Sequence, residues 1–382
     1  MARLGDICKF QSGGTPAKGE ASYFSGNIPW ITTIALNGSI IDEKNAVDWI
    51  TEQAIMKSAA KIVPANSVMV GTRVGVGKVA INKVPMSTSQ DVISLLDIDE
   101  SEWSKDFICK FILGKGAYLN SQARGATIKG IKIETLAGLQ LPDIPLEQQC
   151  KIATVIDAVV NLIYLRKQQL AKLDEVVKAR FIELFGDTIL NPFGWEKDSL
   201  GTVCDVRDGT HDSPKYHETG YPLVTSKNVT GGKIDLTDCS LICEEDFNKI
   251  NERSKVDIGD IIMPMIGTVG KPVIVDIEPN FAIKNVALIK FKADSRVLNV
   301  YVRALLQSDY FDDAVLSKVR GGTQKFISLG DIRKLGVLVP PLELQNQFAA
   351  FVEQTDKSKL AIRQSLDKLE TLKKSLMQKY FG

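Results

Sequence analysis

Little in the composition of this chain declares a chemistry. Its 47 Lys and Arg are offset by 46 Asp and Glu, leaving a net charge of +1. DNA-binding domains usually carry a strongly basic face, so any neutralisation of phosphate here falls to local patches or to partners. Histidine occurs only twice, at His211 and His217, which leaves little scope for general-base catalysis. The six cysteines, Cys8, Cys109, Cys150, Cys204, Cys239 and Cys243, include no Cys-x-x-Cys pair. They are expected as small core residues of a cytoplasmic chain, neither disulfides nor metal ligands. No stretch approaches about 18 consecutive apolar residues, and the opening Met-Ala-Arg-Leu-Gly-Asp lacks the apolar run of a signal peptide, so no membrane span is expected. A length of 382 residues exceeds the roughly 250 to 300 at which one core stops growing, and two domains follow.

Proline is missing from residues 146 to 186 and 342 to 382, and glycine stands only at the last position of each. Both segments are therefore predicted as long helices. They are also copies of one another. At a constant offset of 196, Leu4-Gly5 falls on Leu200-Gly201, Cys8 on Cys204, Arg124-Gly125-Ala126-Thr127-Ile128-Lys129 on Arg320-Gly321-Gly322-Thr323-Gln324-Lys325, Pro145-Leu146-Glu147 on Pro341-Leu342-Glu343, Gln149 on Gln345, and Phe185-Gly186 on Phe381-Gly382. A repeat of this length is a duplicated domain with its connector, since solenoid periods run roughly 20 to 50 residues. The predicted layout is a first domain over 1–145, a connector helix over 146–186, a second domain over 187–341 and a second connector over 342–382.

Each globular part reads as α+β. Short apolar segments near 26–32, 67–71, 78–81 and 92–96 are echoed near 220–225, 260–263, 271–275 and 286–289, and a helix is predicted near 104–122 and 298–317. Along the connectors, heptad position a takes Ile156, Ile163, Leu170, Val177 and Leu184, and d takes Ile152, Val159, Arg166, Leu173 and Arg180. In the second copy Val352, Lys359, Leu366, Lys373 and Tyr380 stand at a, with Phe348, Thr355, Ile362, Leu369 and Leu376 at d. The expected arrangement is an antiparallel two-helix coiled coil, pseudo-twofold, in which facing residue numbers have a constant sum. Sums of 525 and 539 oppose basic residues, whereas 532 sets Ile163 against Leu369 and Leu170 against Ile362. The expected interface comprises Ile156, Ile163, Leu170, Val177, Ile362, Leu366, Leu369 and Leu376.

A duplicated α+β unit, a Gly-Thr loop leading to Pro-Leu-Glu-x-Gln, and a long helix ending in Leu-Phe-Gly or Tyr-Phe-Gly together resemble the specificity subunit of a type I restriction-modification enzyme. Segments Gly13-Gly-Thr-Pro16 and Asp208-Gly-Thr210 are similar to that family's domain starts; the single Pro145 departs from its usual pair. The resemblance implies two target-recognition domains, each reading one half of a bipartite double-stranded DNA target, with the helices as spacer and docking surface. It implies no catalysis in this chain. Two modification (methyltransferase) subunits would use S-adenosylmethionine, and restriction (translocase/endonuclease) subunits would use ATP and Mg.

The residues are in keeping with that division. Gly71-Thr-Arg-Val-Gly-Val-Gly-Lys78 fails the phosphate-loop spacing and reads as a tight turn between strands. Asn191-Pro192-Phe193 reads as linker. In the loop Arg-Gly-x-Thr-x-Lys, glycine lets backbone approach a phosphate, Thr donates, and Arg or Lys adds charge; a purely structural turn is the alternative. The candidates for phosphate positioning are thus Arg124, Thr127, Lys129, Arg320, Thr323 and Lys325, together with Lys78 and Lys271. Base readout is expected where the copies differ: Thr15, Lys18, Arg73 and Gln90 in the first, Thr210, Lys215, Ser226, Lys227 and Lys284 in the second. On residues alone, an enzyme with unrecognised motifs and a tandem protein-binding scaffold both stay open.

Overall fold

The computed structural model describes residues 1–125, 129–265, 271–314 and 326–382. The chain divides into two compact units, Met1–Lys167 with Gln364–Gly382, and Gln168–Arg363. Each is mixed α and β.

In the first unit a five-stranded sheet runs in the order β1 (Lys9–Ser12), β6 (Val92–Leu96), β3 (Val68–Gly71), β4 (Val79–Asn82) and the short strand Ile40–Ile41. Pairing is antiparallel through β4, with Ser94 opposite both Gln11 and Met69. A second sheet joins β2 (Ile28–Ile31) in parallel to β5 (Met86–Thr88), Trp30 opposite Ser87. β3, β4 and most of β6 are buried continuously, as expected of strands covered on both faces. One such cover is α1 (Lys105–Gly114), begun by Ser104, whose hydroxyl accepts from the Phe107 amide at 3.3 Å.

The second unit repeats this plan. β7 (Asp205–Asp208), β12 (Val286–Lys290), β9 (Ile261–Pro264) and β10 (Val273–Ile274) form one antiparallel sheet. β8 (Tyr221–Val224) pairs in parallel with β11 (Ala282–Ile283), Leu223 opposite Ala282. Helix α3 (Glu244–Ser254) precedes β9, and α4 (Asn299–Leu306) occupies the place of α1.

Two 40-residue helices, α2 (Leu146–Phe185) and α5 (Leu342–Phe381), each contribute to both units. Along α2 every a and d position from Ile152 to Leu184 is buried or half-buried. Along α5 the same holds from Phe348 to Tyr380 except at Lys373, which is exposed. Within each unit the segments run antiparallel. Lys167 pairs with Glu370 at 3.3 Å in the first. In the second, Lys359 pairs with Asp174 at 2.7 Å, and Phe185 packs edge-on against Phe348 with centroids 5.6 Å apart. The residue numbers of these pairs sum to 537, 533 and 533; two of the three fall one from 532, and the third falls between 532 and 539.

The repeated motifs have internal work. Gln149 is buried; its amide oxygen accepts from Ser104 N at 2.9 Å, and its nitrogen donates to the carbonyls of Glu102 and Ile144 at 2.9 and 3.0 Å. Gln345 repeats the clamp on Leu298 N, Arg296 O and Pro340 O at 2.8, 3.0 and 2.8 Å. The closing Phe-Gly pairs are plugs. Phe381 seats against Phe107 and Phe111 with centroids 5.4 and 5.9 Å apart in the first core. Gly114 leaves room for it, since a Cβ there would stand 2.9 Å from the Cβ of Phe381. Phe185 takes the matching seat against Tyr301 in the second core, at 4.8 Å. The cysteine expectation needs correction: Cys8, Cys109 and Cys204 are buried, but Cys150 is exposed and Cys239 and Cys243 are partly so. Cys150 follows the clamp residue on the outer side of α2, away from its heptad stripe.

Candidate nucleic-acid interface

Glycines lay the domain starts against the strand ends. Gly13 N donates to Val92 O at 3.0 Å and Gly14 N to Thr88 O at 2.9 Å. A Cβ on Gly13 would lie 2.2 Å from Thr88 Oγ1 and 2.3 Å from Ser89 O, so no side chain fits. In the second unit Gly209 N bonds Val286 O and Thr210 N bonds Ile283 O, both at 3.0 Å. The segment bearing Thr15 therefore lies beside the one bearing Gln90, and Thr210 bridges Lys284 in parallel.

From there a basic corner grows in the first unit. The turn joining β3 to β4 is tight, with Gly75 and Gly77 at φ +79° and +80° and Gly77 N bonded to Gly71 O at 2.9 Å. No helix follows it as a phosphate loop would need. Thr72 N donates to Asp91 O at 2.8 Å, and Arg73 lies 3.9 Å from the Asp91 carboxylate. The loop begun by Arg124 is pinned to this turn. Arg124 and Gly130 exchange backbone bonds of 2.9 and 3.0 Å, Ile131 N bonds Thr72 O at 2.8 Å, and a Cβ on Gly130 would stand 2.9 Å from Arg73 Cγ. Arg73 and Lys129 thus line one open hollow of about 310 Å³ with Asn120 and Ala123. Lys78 lies over Gly75, whose added Cβ would be 2.9 Å from Lys78 Cδ. Arg73, Lys78, Gln90, Arg124 and Lys129 are all exposed. Thr127 lies outside the described residues. Lys18 sits on a separate turn closed by Glu20 N to Ala17 O at 3.0 Å, and none of the contacts above reaches it.

In the second unit Lys284 Nζ donates to Ser213 Oγ at 2.7 Å, and its amide bonds Val224 O at 2.9 Å, which brings Thr225, Ser226 and Lys227 alongside. Lys227 lies 3.9 Å from Asp238, and Lys215 and Lys271 are exposed. Ile327 N bonds Met265 O at 3.0 Å, the counterpart of Ile131 on Thr72. The anchor of the loop is repeated, while Arg320, Thr323 and Lys325 lie outside the described residues.

Four residues meet here: Asp208 stood in a domain-start motif and His211 was one of the two histidines noted, while Arg253 and Asn285 escaped the sequence reading. Asp208, at the end of β7, is buried and receives Arg253 Nη2 on Oδ1 and His211 Nε2 on Oδ2, the latter at 2.9 Å. The other ring nitrogen of His211 lies 2.8 Å from Asn285 Oδ1, and Asn285 holds φ at +54°. The side chains of Asn285 and then Asp208 raise the His211 pKa above its ordinary 6.5. Arg253 stands 45 residues from Asp208, and no linear spacing links them.

The helix residues Ile156, Ile163, Leu170, Val177, Ile362, Leu366, Leu369 and Leu376 are all buried or half-buried. Beside them each unit has a cleft, about 710 Å³ in the first and about 460 Å³ in the second. Glu370, Lys374 and Met377 line the first; Asp174, Lys178 and Phe181 line the second at the offset of 196. Among the described residues no group of three or more His, Cys, Asp and Glu could hold a metal ion, and no helix is long and apolar enough to cross a membrane.

Comparison with known proteins places these features. The sequence model of the type I restriction modification DNA specificity domain matches twice, over residues 1–175 and 192–373. The chain is 25% identical over 388 residues to the type I restriction enzyme MjaIX specificity subunit of Methanocaldococcus jannaschii, covering 92% of this chain and 85% of that one. Two solved structures are similar in fold. One is the type I restriction-modification S subunit from M. genitalium, with TM-score 0.59 at 15% identity, covering 100% of this chain and 95% of that one. The other comes from a study of assembly and conformational transition of the type I R-M system, with TM-score 0.62 at 18% identity, covering 100% and 96%.

Proposed function

The chain belongs to the type I restriction-modification DNA specificity family, and from that premise we propose that it reads a bipartite double-stranded DNA target, one half-site per unit, without catalysing any step itself. The observation that carries the reading is the repeated frame. Gly13 and Gly209 seat equivalent segments on equivalent strand ends, and the loop anchors at Ile131 and Ile327 recur, while the side chains around them differ. One frame with two surfaces suits two half-sites of different sequence. In the first unit Arg73 and Gln90 face bases, and Lys78, Arg124 and Lys129 hold phosphates.

Helices α2 and α5 serve as spacer and docking surface. Two clefts equivalent by the repeat support two modification subunits, one on each. Those subunits carry S-adenosylmethionine, and restriction subunits carry ATP and Mg. The family's task is performed in the cytoplasm, where the DNA is.

Expressing the chain with its modification subunits in a host that lacks adenine methylation, then mapping modified bases, tests this. The expected result is one two-part motif with a methylated adenine in each half and a fixed unread gap. An undivided motif, or methylation that persists when this chain is omitted, would contradict it.

A further inference from the structure

The second unit carries a charged group that the first lacks at the same place in the frame. Ser12 faces Ile93 across its sheet, and Asp208 faces Ala287 at the equivalent rung. Where the first copy has Ser12, Thr15 and Asp91, the second has Asp208, His211 and Asn285. In the first copy this corner adjoins Arg73 through Asp91. The difference therefore falls where the two half-sites would be told apart.

Asp208 gives one carboxylate oxygen to Arg253 and the other to His211. Its side chain is 10% exposed, against 68% for Arg253 and 62% for His211. Arg253 is fixed a second time through its backbone: the carbonyl accepts from Arg207 Nη1 at 3.0 Å, and Arg207 is itself clamped on Asp205 by bonds of 3.0 and 2.6 Å. One edge of the Arg253 guanidinium is thus tied down while most of the group stays open to solvent. A rigid, outward-facing fork of donors matches the O6 and N7 acceptors of guanine. A mobile arginine would lose side-chain entropy on binding; one already held loses less.

His211 braces the same carboxylate. Both ring nitrogens lie beside side-chain amide or carboxylate oxygens, an arrangement that favours the doubly protonated ring; the neutral ring is accommodated when the Asn285 amide turns over. The charged groups that act on His211 are Asp208 from β7 and Arg253 from α3; Lys284, beyond β11, bonds Ser213 at 2.7 Å two residues on, and Asp212 is adjacent in sequence.

Resting on the DNA-reading function above, we propose that Arg253 is a specificity-determining contact to a guanine in the half-site of the second unit, with Asp208 and His211 as its positioning residues. Protonated His211 adds a cation beside the DNA. Affinity is then highest below its raised pKa and falls as pH rises through it, and the first half-site shares no such dependence.

The test is selection from duplexes with a randomised centre, using the full chain assembled with its modification subunits at about pH 6 and about pH 8. Wild type should select a two-part motif and lose affinity several-fold at the higher pH. Arg253→Lys should lose preference at one guanine in one half only, with the selected duplex bound about ten- to hundred-fold more weakly. His211→Gln should keep the motif and bind equally at both pH values. A motif unchanged in Arg253→Lys overturns the proposal, as does uniform weakening with a salt slope smaller by about 1, which would make Arg253 a phosphate contact. A pH profile in His211→Gln like that of wild type overturns the role of His211. Wild type selecting no motif overturns the DNA-reading function itself.

Discussion

Two glutamines and one lysine show how differently single residues act here. Gln149 satisfies three partly buried backbone groups, two of them 45 and 47 residues away, and Gln345 does the same in the second unit. Replacing Gln149 by Leu keeps the volume and strands those groups. Urea unfolding should show a loss of roughly 2 to 4 kcal/mol, since each buried unsatisfied polar group costs about 1–3. Lys129 is the opposite case, exposed at the rim of the basic hollow. Lys129→Ala should leave stability within about 0.5 kcal/mol. In the assembled complex it should weaken specific and non-specific DNA alike and reduce the salt slope by about 1; an unchanged slope would remove Lys129 from the interface. The sequence exposed both residues as repeats. It did not separate them, because recurrence marks a constraint without saying whether the constraint is internal or external.

Among the elements, the long helices were the most legible. A heptad stripe depends only on spacing along the chain, and both its length and its buried positions are those expected, Lys373 apart. The central strands Val68–Gly71, Val79–Asn82 and Val92–Leu96 were visible as apolar runs. Their order was not, because the parallel rung of Trp30 and Ser87 joins segments more than 50 residues apart. Two-residue strands such as Ile62–Val63 carry no periodic signal at all. The same reason hid Arg253, whose importance lies in a carboxylate brought to it by folding. Lys359 was read as a basic intrusion in the stripe; in the structure it is nearly buried and reaches Asp174 at 2.7 Å, so its charge is paired and not stranded.

At the scale of the molecule, the first unit is assembled from two separate stretches of chain, whereas the second is one continuous stretch. The first core is completed by Phe381, from the far end of the sequence, and the second by Phe185. Since the two plugs are related by the repeat, the fragment 1–186 has the right residue for the empty seat only on another copy of itself. Sedimentation should therefore find that fragment as a dimer, and Phe185→Ala in it should convert the dimer to an unstable monomer, a buried Phe→Ala costing about 3–5 kcal/mol. A stable wild-type monomer would contradict this account of the cores.

The arrangement also sets an order in time. A ribosome releases this chain from its first residue onward, at about 5–20 residues per second. When Phe185 emerges it waits only for the residues that will surround it, and the second unit closes as they appear. The first unit, though begun earlier, has Phe107, Phe111 and Gly114 around a seat whose occupant, Phe381, is translated after the whole of the second unit. The half of the protein that is born first is the half that finishes last, and through that interval its apolar socket is open to any helix end of the right shape.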